Sequence, residues 1–196
     1  MELYLERKEA IEKRLEEFSQ KRNKEEIFYE LCFCVLTPQS NGIRCWEAIE
    51  ELERKNFFKN SVSLVPILAQ KTRFHHTKAK HLLLLKKDYN KVYERFMQLE
   101  KLALRNYLVE NVKGIGWKEA SHFLRNVGHR DLAILDRHIL RKLVEYKVII
   151  ELPKKLDKKE YFAIEEKFKQ FSRNIGISMD ALDLYFWSLP TGKIFK

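Results

Sequence analysis

A lysine and an aspartate are the residues of this chain whose setting could do chemistry. The run Asn111-Val112-Lys113-Gly114-Ile115-Gly116-Trp117-Lys118-Glu119-Ala120 puts Lys118 in the first turn of a predicted helix, directly after a Gly-Ile-Gly turn. Asp136 follows eighteen residues after Lys118, at the start of the next predicted helix. A lysine amine attacks an electrophile only when deprotonated, so burial or a nearby positive potential must lower its pKa. A helix N-terminus supplies such a potential. Glycine lets the turn adopt positive φ and lets an anion come close, while the orphan amides of the helix start favour a phosphate there. The arrangement suggests DNA held by backbone amides, a contact that reads phosphate rather than base sequence, with an amine nucleophile and a carboxylate at hand. Each part has a plainer reading. Gly114 and Gly116 also suit an ordinary helix-turn-helix corner, Lys118 a solvated surface position, and Asp136 a simple N-cap. For Asp136 the two roles are compatible, because a capping carboxylate is fixed and can still face a reaction centre.

The elements that must position these groups are helical. The 196 residues, 45% hydrophobic and 12% aromatic, can bury a core as one large domain or two small lobes and exclude a disordered tail. Helical periodicity runs through the whole chain and strand alternation is nearly absent. Leu3, Leu5, Ile11, Leu15 and Phe18 outline a ragged amphipathic helix at the start. Ile27, Leu31, Cys34 and Val35 form a stripe that ends at Thr37-Pro38, and Asn41-Gly42 opens a helix through about Glu53. Further helices are predicted over about 63–70, 77–86, 91–97 and 100–110. After the glycine turn come a stripe of Ala120, Phe123, Leu124 and Val127 stopped by Gly128, then one of Leu135, Ile139, Leu143 and Tyr146. Tyr161, Ile164, Phe168 and Phe171 mark another helix, and 179–189 the last, ended by Pro190. Only Lys147-Val148-Ile149-Ile150 looks strand-like, and it is too short to build a sheet on. Short connections then predict an all-α bundle of about ten helices.

The net charge of +10 suggests an anionic partner, nucleic acid first and an anionic membrane second, although a merely soluble basic protein would carry it too. No run approaches the length of a membrane span, and the charged N-terminal residues do not read as a secretory signal. Cys32, Cys34 and Cys45 are an odd number without metal-ligand spacing. The first two read as buried thiols on a helix, which points to a reducing cytoplasm. The wealth of Lys and Glu is compatible with a thermophile.

Taken jointly, Val112 to Ala120, Ile134-Leu135-Asp136-Arg137-His138 and the upstream Leu36-Thr37-Pro38-Gln39-Ser40-Asn41 resemble the helix-hairpin-helix DNA glycosylases that carry a Gly/Pro-rich loop and a trailing aspartate. The resemblance covers nearly the whole chain. It is strongest to the archaeal-type 8-oxoguanine DNA glycosylase/AP lyase branch. The chain is short, lacks the four-cysteine iron–sulfur loop of the endonuclease III branch, and ends Pro190-Thr191-Gly192-Lys193-Ile194-Phe195-Lys196, like that branch's lysine-terminated tail.

The resemblance implies two α-helical lobes with an active-site cleft between them: residues 23–127, which contain the hairpin, and residues 1–22 with 128–196. It implies a bifunctional enzyme that removes 8-oxoguanine from duplex DNA. Lys118 attacks C1′ and forms a Schiff base, and β-elimination nicks the strand. Asp136 stabilises positive charge on the sugar. The base is flipped out first, Phe74 and Trp187 sandwich it, and Lys196 reads its Watson–Crick edge through the terminal carboxylate. Gln39 and Asn41 fill the gap in the helix, while Lys113, Gly114 and Gly116 hold the backbone. No iron–sulfur cluster and no metal-ion cofactor are implied, apart from a monovalent cation on the carbonyls of the 112–116 hairpin. The resemblance implies double-stranded DNA as the partner, with no membrane, and we expect a monomer in the cytoplasm, associated with the nucleoid.

Plainer roles stay open for several of these residues. Phe74 suits core, Trp187 helix packing, the Lys196 tail fraying, and Gln39 a cap near Asn41. Arg73, His75, His76 and Lys78 form a basic cluster that suits a solvated face or a phosphate contact. His138 suits packing or a phosphate contact better than acid–base work. Two other functions compete: the same chemistry on oxidised pyrimidines, and a non-catalytic helix-hairpin-helix DNA-binding protein. Pure binding needs neither Lys118 nor Asp136, which argues against the second.

Overall fold

The computed structural model describes residues 2–196, with side chains from Leu3 onward, and every regular element among them is an α-helix. The ten helices are α1 (Glu2–Ser19), α2 (Lys24–Leu36), α3 (Gly42–Arg54), α4 (Leu64–Ala69), α5 (His75–Gln98), α6 (Lys101–Asn111), α7 (Trp117–Asn126), α8 (Arg137–Glu145), α9 (Lys158–Ile175) and α10 (Met179–Thr191). They belong to two compact units, Lys21–Phe123 and Met1–Gln20 with Leu124–Lys196, and the boundary falls inside α7.

In the Lys21–Phe123 unit, α2 is the centre and packs against α3 and α5, while α4 lies on α5. Ten consecutive α2 residues, Ile27 to Leu36, are buried, so α2 is enclosed all round rather than along one stripe, with its one charged member, Glu30, paired to Arg22 at 3.0 Å. Asn23 starts it with a full capping box: its side chain accepts from the Glu25 and Glu26 amides, and Glu26 accepts from the Asn23 amide. Phe28, packed among Tyr29, Phe57, Phe58 and Tyr89, contributes on the order of 1.5–3 kcal/mol by its burial. Cys32 and Cys34 are buried thiols on this helix, as expected, and Cys45 is buried on α3. Burial pushes the Cys32 thiol up and the Cys45 thiol up to about 11.

The two helices predicted over 77–86 and 91–97 are one. Residues 87–90 contain neither Gly nor Pro, and the buried face Leu82, Leu85, Tyr89, Val92 continues across them at helical spacing.

In the other unit, α1 packs on α10, which also meets α8 and α9. The buried face of α1 is Tyr4, Ile11 and Phe18, each seven residues apart; Leu3 and Leu5 are 52% and 65% exposed, so they do not belong to the stripe. Arg125 from the second half of α7 pairs with Asp183 of α10 at 3.4 Å and stacks over Phe18. Gly128 terminates α7 at φ +97, where a Cβ would press on the Phe18 carbonyl and the Ser19 backbone. The 147–150 run is not a strand. Lys147 is left-handed, and the Val148 and Ile149 amides both turn back to the Leu143 carbonyl. Pro190 does not end the last helix but lies in its final turn, and left-handed Gly192 ends it.

Candidate active site

The hairpin joins α6 to α7. Val112 caps α6, and the Ile115 amide returns to the Val112 carbonyl at 3.2 Å. Gly114 is left-handed, at φ +88, and a Cβ there would lie 2.6 Å from Nδ1 of His81 on α5. This position therefore needs glycine twice over, for its backbone and for the imidazole against it. Burial lowers the His81 pKa below the ordinary value, and the neighbouring Lys113 charge adds to this. Gly116 does not have positive φ. Its amide donates to Oε2 of Glu119 at 3.1 Å, the carboxylate half of a capping box. Two of the hairpin's amides, those of Ile115 and Gly116, are engaged within the hairpin itself.

Lys118 is the second residue of α7. It is half-buried rather than solvated, with its side chain 21% exposed. Its Nζ donates to Oγ1 of Thr37 at 3.4 Å and lies 3.5 Å from Oε1 of Glu119. Thr37, the C-cap of α2, donates its own hydroxyl to the Cys34 carbonyl at 2.9 Å, so the oxygen that meets Lys118 is fixed. The amine is thus held between a hydroxyl and a carboxylate in the first turn of α7.

The 36–40 loop follows directly. Gln39 is exposed and left-handed at φ 53, which is unusual for a non-glycine residue. It caps nothing; Asn41 is the N-cap of α3, and its Oδ1 accepts from the Arg44 amide at 3.1 Å. Phe74 is not core. It is 54% exposed, caps α5 with left-handed φ 57 and ψ 37, and carries the Arg73 guanidinium over its ring. A bulky side chain held in solvent on a strained backbone is a frequent mark of a ligand contact. The basic cluster divides. Arg73 and His76 are exposed, His75 tilts against His76, and Lys78 is buried, so it is neither a solvated face nor a phosphate contact.

Within the other unit, Asp136 is the N-cap of α8, and its Oδ1 accepts from the Ile139 amide at 2.7 Å. The capping role is real and leaves Oδ2 without a hydrogen-bond partner among the described residues. Two residues on, Nε2 of His138 lies 2.7 Å from the Phe186 carbonyl. A carbonyl only accepts, so Nε2 carries the hydrogen. Phe186 is four residues before Pro190, which has no amide to give it, and His138 supplies the missing donor. Trp187 is half-buried and tilts against Phe195, their ring centroids 5.9 Å apart. The tail is also tied by the Lys193 amide to the Thr191 hydroxyl, and Lys196 is half-buried rather than frayed.

Sequence reasoning missed His81, Glu119 and Phe195, and mistook Lys78. Glu119 alone had a local signal, three residues after the predicted helix start.

The chain is similar to known proteins over nearly its whole length. The family model for 8-oxoguanine DNA glycosylase of the helix-hairpin-helix type matches residues 11–177. An 8-oxoguanine DNA glycosylase/AP lyase of Methanocaldococcus jannaschii is 42% identical over 96% of this chain and 93% of its own length. One from Fusobacterium nucleatum is 41% identical over 99% of this chain and 94% of its own. The crystal structure of the Methanocaldococcus jannaschii 8-oxoguanine glycosylase/lyase in complex with a 15mer DNA containing 8-oxoguanine superimposes with a TM-score of 0.87 at 37% identity, covering 96% of this chain and 93% of that one.

Proposed function

The chain belongs to the 8-oxoguanine DNA glycosylase family, and from that premise we propose that it excises 8-oxoguanine from duplex DNA and nicks the strand through a Schiff base on Lys118. The observation that carries this reading is the lysine amine itself, half-buried in the first turn after the hairpin and held by Thr37 and Glu119.

The amine of Lys118 bonds to C1′ of the damaged nucleoside as the glycosidic bond breaks, and the base leaves with the bonding pair and takes up a proton. The sugar ring opens to an iminium on Nζ. Loss of a C2′ proton then expels the 3′ phosphate, which is β-elimination. Asp136 supplies a fixed carboxylate for the positive charge that develops on the sugar, and its capping bond keeps that group from wandering. Preorganisation of this kind acts without reorganisation at the moment of reaction. Phe74 offers an exposed ring on a strained backbone as a stacking surface for the flipped base, and Trp187, backed by Phe195, offers another. Gln39, in its left-handed turn, is the side chain best suited to enter the space that the flipped base leaves. Lys113 and the left-handed turn at Gly114, with the first turn of α7 that Gly116 opens, supply the phosphate contact.

The test is incubation with duplexes carrying 8-oxoguanine, thymine glycol or an abasic site, with borohydride present to reduce any Schiff base to a stable adduct. Lys118→Gln runs alongside. The expected result is an adduct on the 8-oxoguanine and abasic duplexes that is absent from the variant. An adduct on thymine glycol but not 8-oxoguanine would overturn the substrate, and binding without any adduct would overturn the chemistry.

A further inference from the structure

Lys78 stands one turn into α5, four residues after Phe74, and is only 4% exposed. Its ammonium donates to the Leu36 carbonyl at 2.6 Å, the Ser40 hydroxyl at 2.7 Å and the Pro38 carbonyl at 2.9 Å. Three N–H donors thus meet three acceptors, all neutral oxygens. Among the described residues no carboxylate lies within ion-pair distance of it. A cation near a helix N-terminus is also on the wrong end of the dipole. Burial holds its pKa below the ordinary lysine value. A methionine of similar length would fill this space without desolvating a charge, so packing alone gives no reason for a lysine.

What the ammonium does is close a loop. Leu36, Pro38 and Ser40 are alternate residues of the 36–40 segment, and Lys78 grips all three. Thr37, between the first two, is the partner of Lys118 Nζ. Gln39, between the last two, is the left-handed residue. The Ser40 hydroxyl also accepts the Arg73 amide at 2.9 Å, which ties in the residue before Phe74, and Cys45 adds its thiol to the Leu36 carbonyl. The Lys78 amide itself donates to the Phe74 carbonyl at 3.0 Å.

We propose that Lys78 is a positioning residue for the reaction: one buried ammonium sets the 36–40 loop, and through it seats Thr37 against Lys118 and holds Gln39 in its turn. The proposal rests on the function proposed above. Its role is to hold the nucleophile's partner to within a fraction of an ångström, the scale on which misplacement costs rate. It does not touch the substrate.

Lys78→Met is the test, with single-turnover excision of 8-oxoguanine and borohydride trapping at an abasic duplex measured at saturating protein. Active-site titration normalises each rate to the molecules that fold. The expected result is a fall of about tenfold or more in the single-turnover rate constant of both reactions, with half-saturating protein concentration changed by no more than about threefold. A residue that only stabilises the fold would lower the active fraction and leave the rate constant of the remainder untouched. Such an unchanged rate constant, or a loss confined to affinity, would overturn the proposal. If the methionine variant does not fold, Ser40→Ala removes one acceptor and leaves the lysine, and a severalfold fall with the same split is expected; wild-type rates there would overturn the role equally. Wild-type protein without activity on any duplex would overturn the reaction itself, whereas active wild type with equally active variants would overturn only the part assigned to Lys78.

Discussion

Asparagine caps a helix as well as aspartate does, so two substitutions at Asp136 separate its duties. Asp136→Asn should leave the melting temperature nearly unchanged while single-turnover excision falls by about 100-fold or more, the scale of losing one preorganised electrostatic stabiliser. Asp136→Ala should lose the same activity and in addition about 1 kcal/mol of stability from the missing cap. Denaturant unfolding of the pair checks this, and equal stability of both variants would remove the capping role. Gly114 admits a comparable separation. Gly114→Ala at φ +88 should cost about 1–2 kcal/mol from the left-handed backbone alone, plus the displacement of His81. Since the clash is with a movable ring, adding His81→Ala should recover the second part and not the first. Full recovery in the double variant would show that backbone strain is not the reason for glycine.

Among the elements, α10 shows how a helix fault is mended from outside. Pro190 deprives the Phe186 carbonyl of its intrahelical donor, and His138, near the start of α8, fills the vacancy. His138→Ala should therefore cost about 1–3 kcal/mol, because it leaves a carbonyl without its partner. In a Pro190→Ala background the restored amide takes that carbonyl, and the same histidine substitution should cost clearly less. A double-mutant cycle by denaturant unfolding measures the difference, and additive costs would mean that the contact is incidental. The bond also fastens the helix that Asp136 caps to the helix that carries Trp187, so an element-level repair bears on two candidate site residues at once.

For the whole molecule, the net charge of +10 sets the expectation. Binding to any duplex should weaken linearly in log salt, by a slope of about 0.9 per phosphate contacted, and a total steeper than about 3 is expected for a hairpin contact with flanking lysines. Titration of a fluorescent duplex across salt concentrations reads the slope directly. A flat response would remove the electrostatic basis of DNA binding. No helix among the described residues is long and apolar enough to cross a membrane.

What the sequence by itself determined is local. Helix starts at Asn41 and Asp136 follow from capping chemistry within three residues, and the place of Lys118 follows from the glycine turn that precedes it. The buried stripes of α8 and α9 follow from spacing within one helix, and so does the all-helical class. Tertiary structure decided whatever depends on partners far away in the chain. Lys78 reads as one more basic residue until loop carbonyls some forty positions upstream converge on it. His81 has no meaning until Gly114 lies against it, and His138 none until Pro190 empties a carbonyl on another helix. Even the exposure of Phe74 and the burial of Tyr4 in place of Leu3 and Leu5 were settled by which face met a neighbour. Periodicity states that a helix has an apolar side, but a buried polar group is defined by the partner that satisfies it, and that partner is chosen only when the chain has folded.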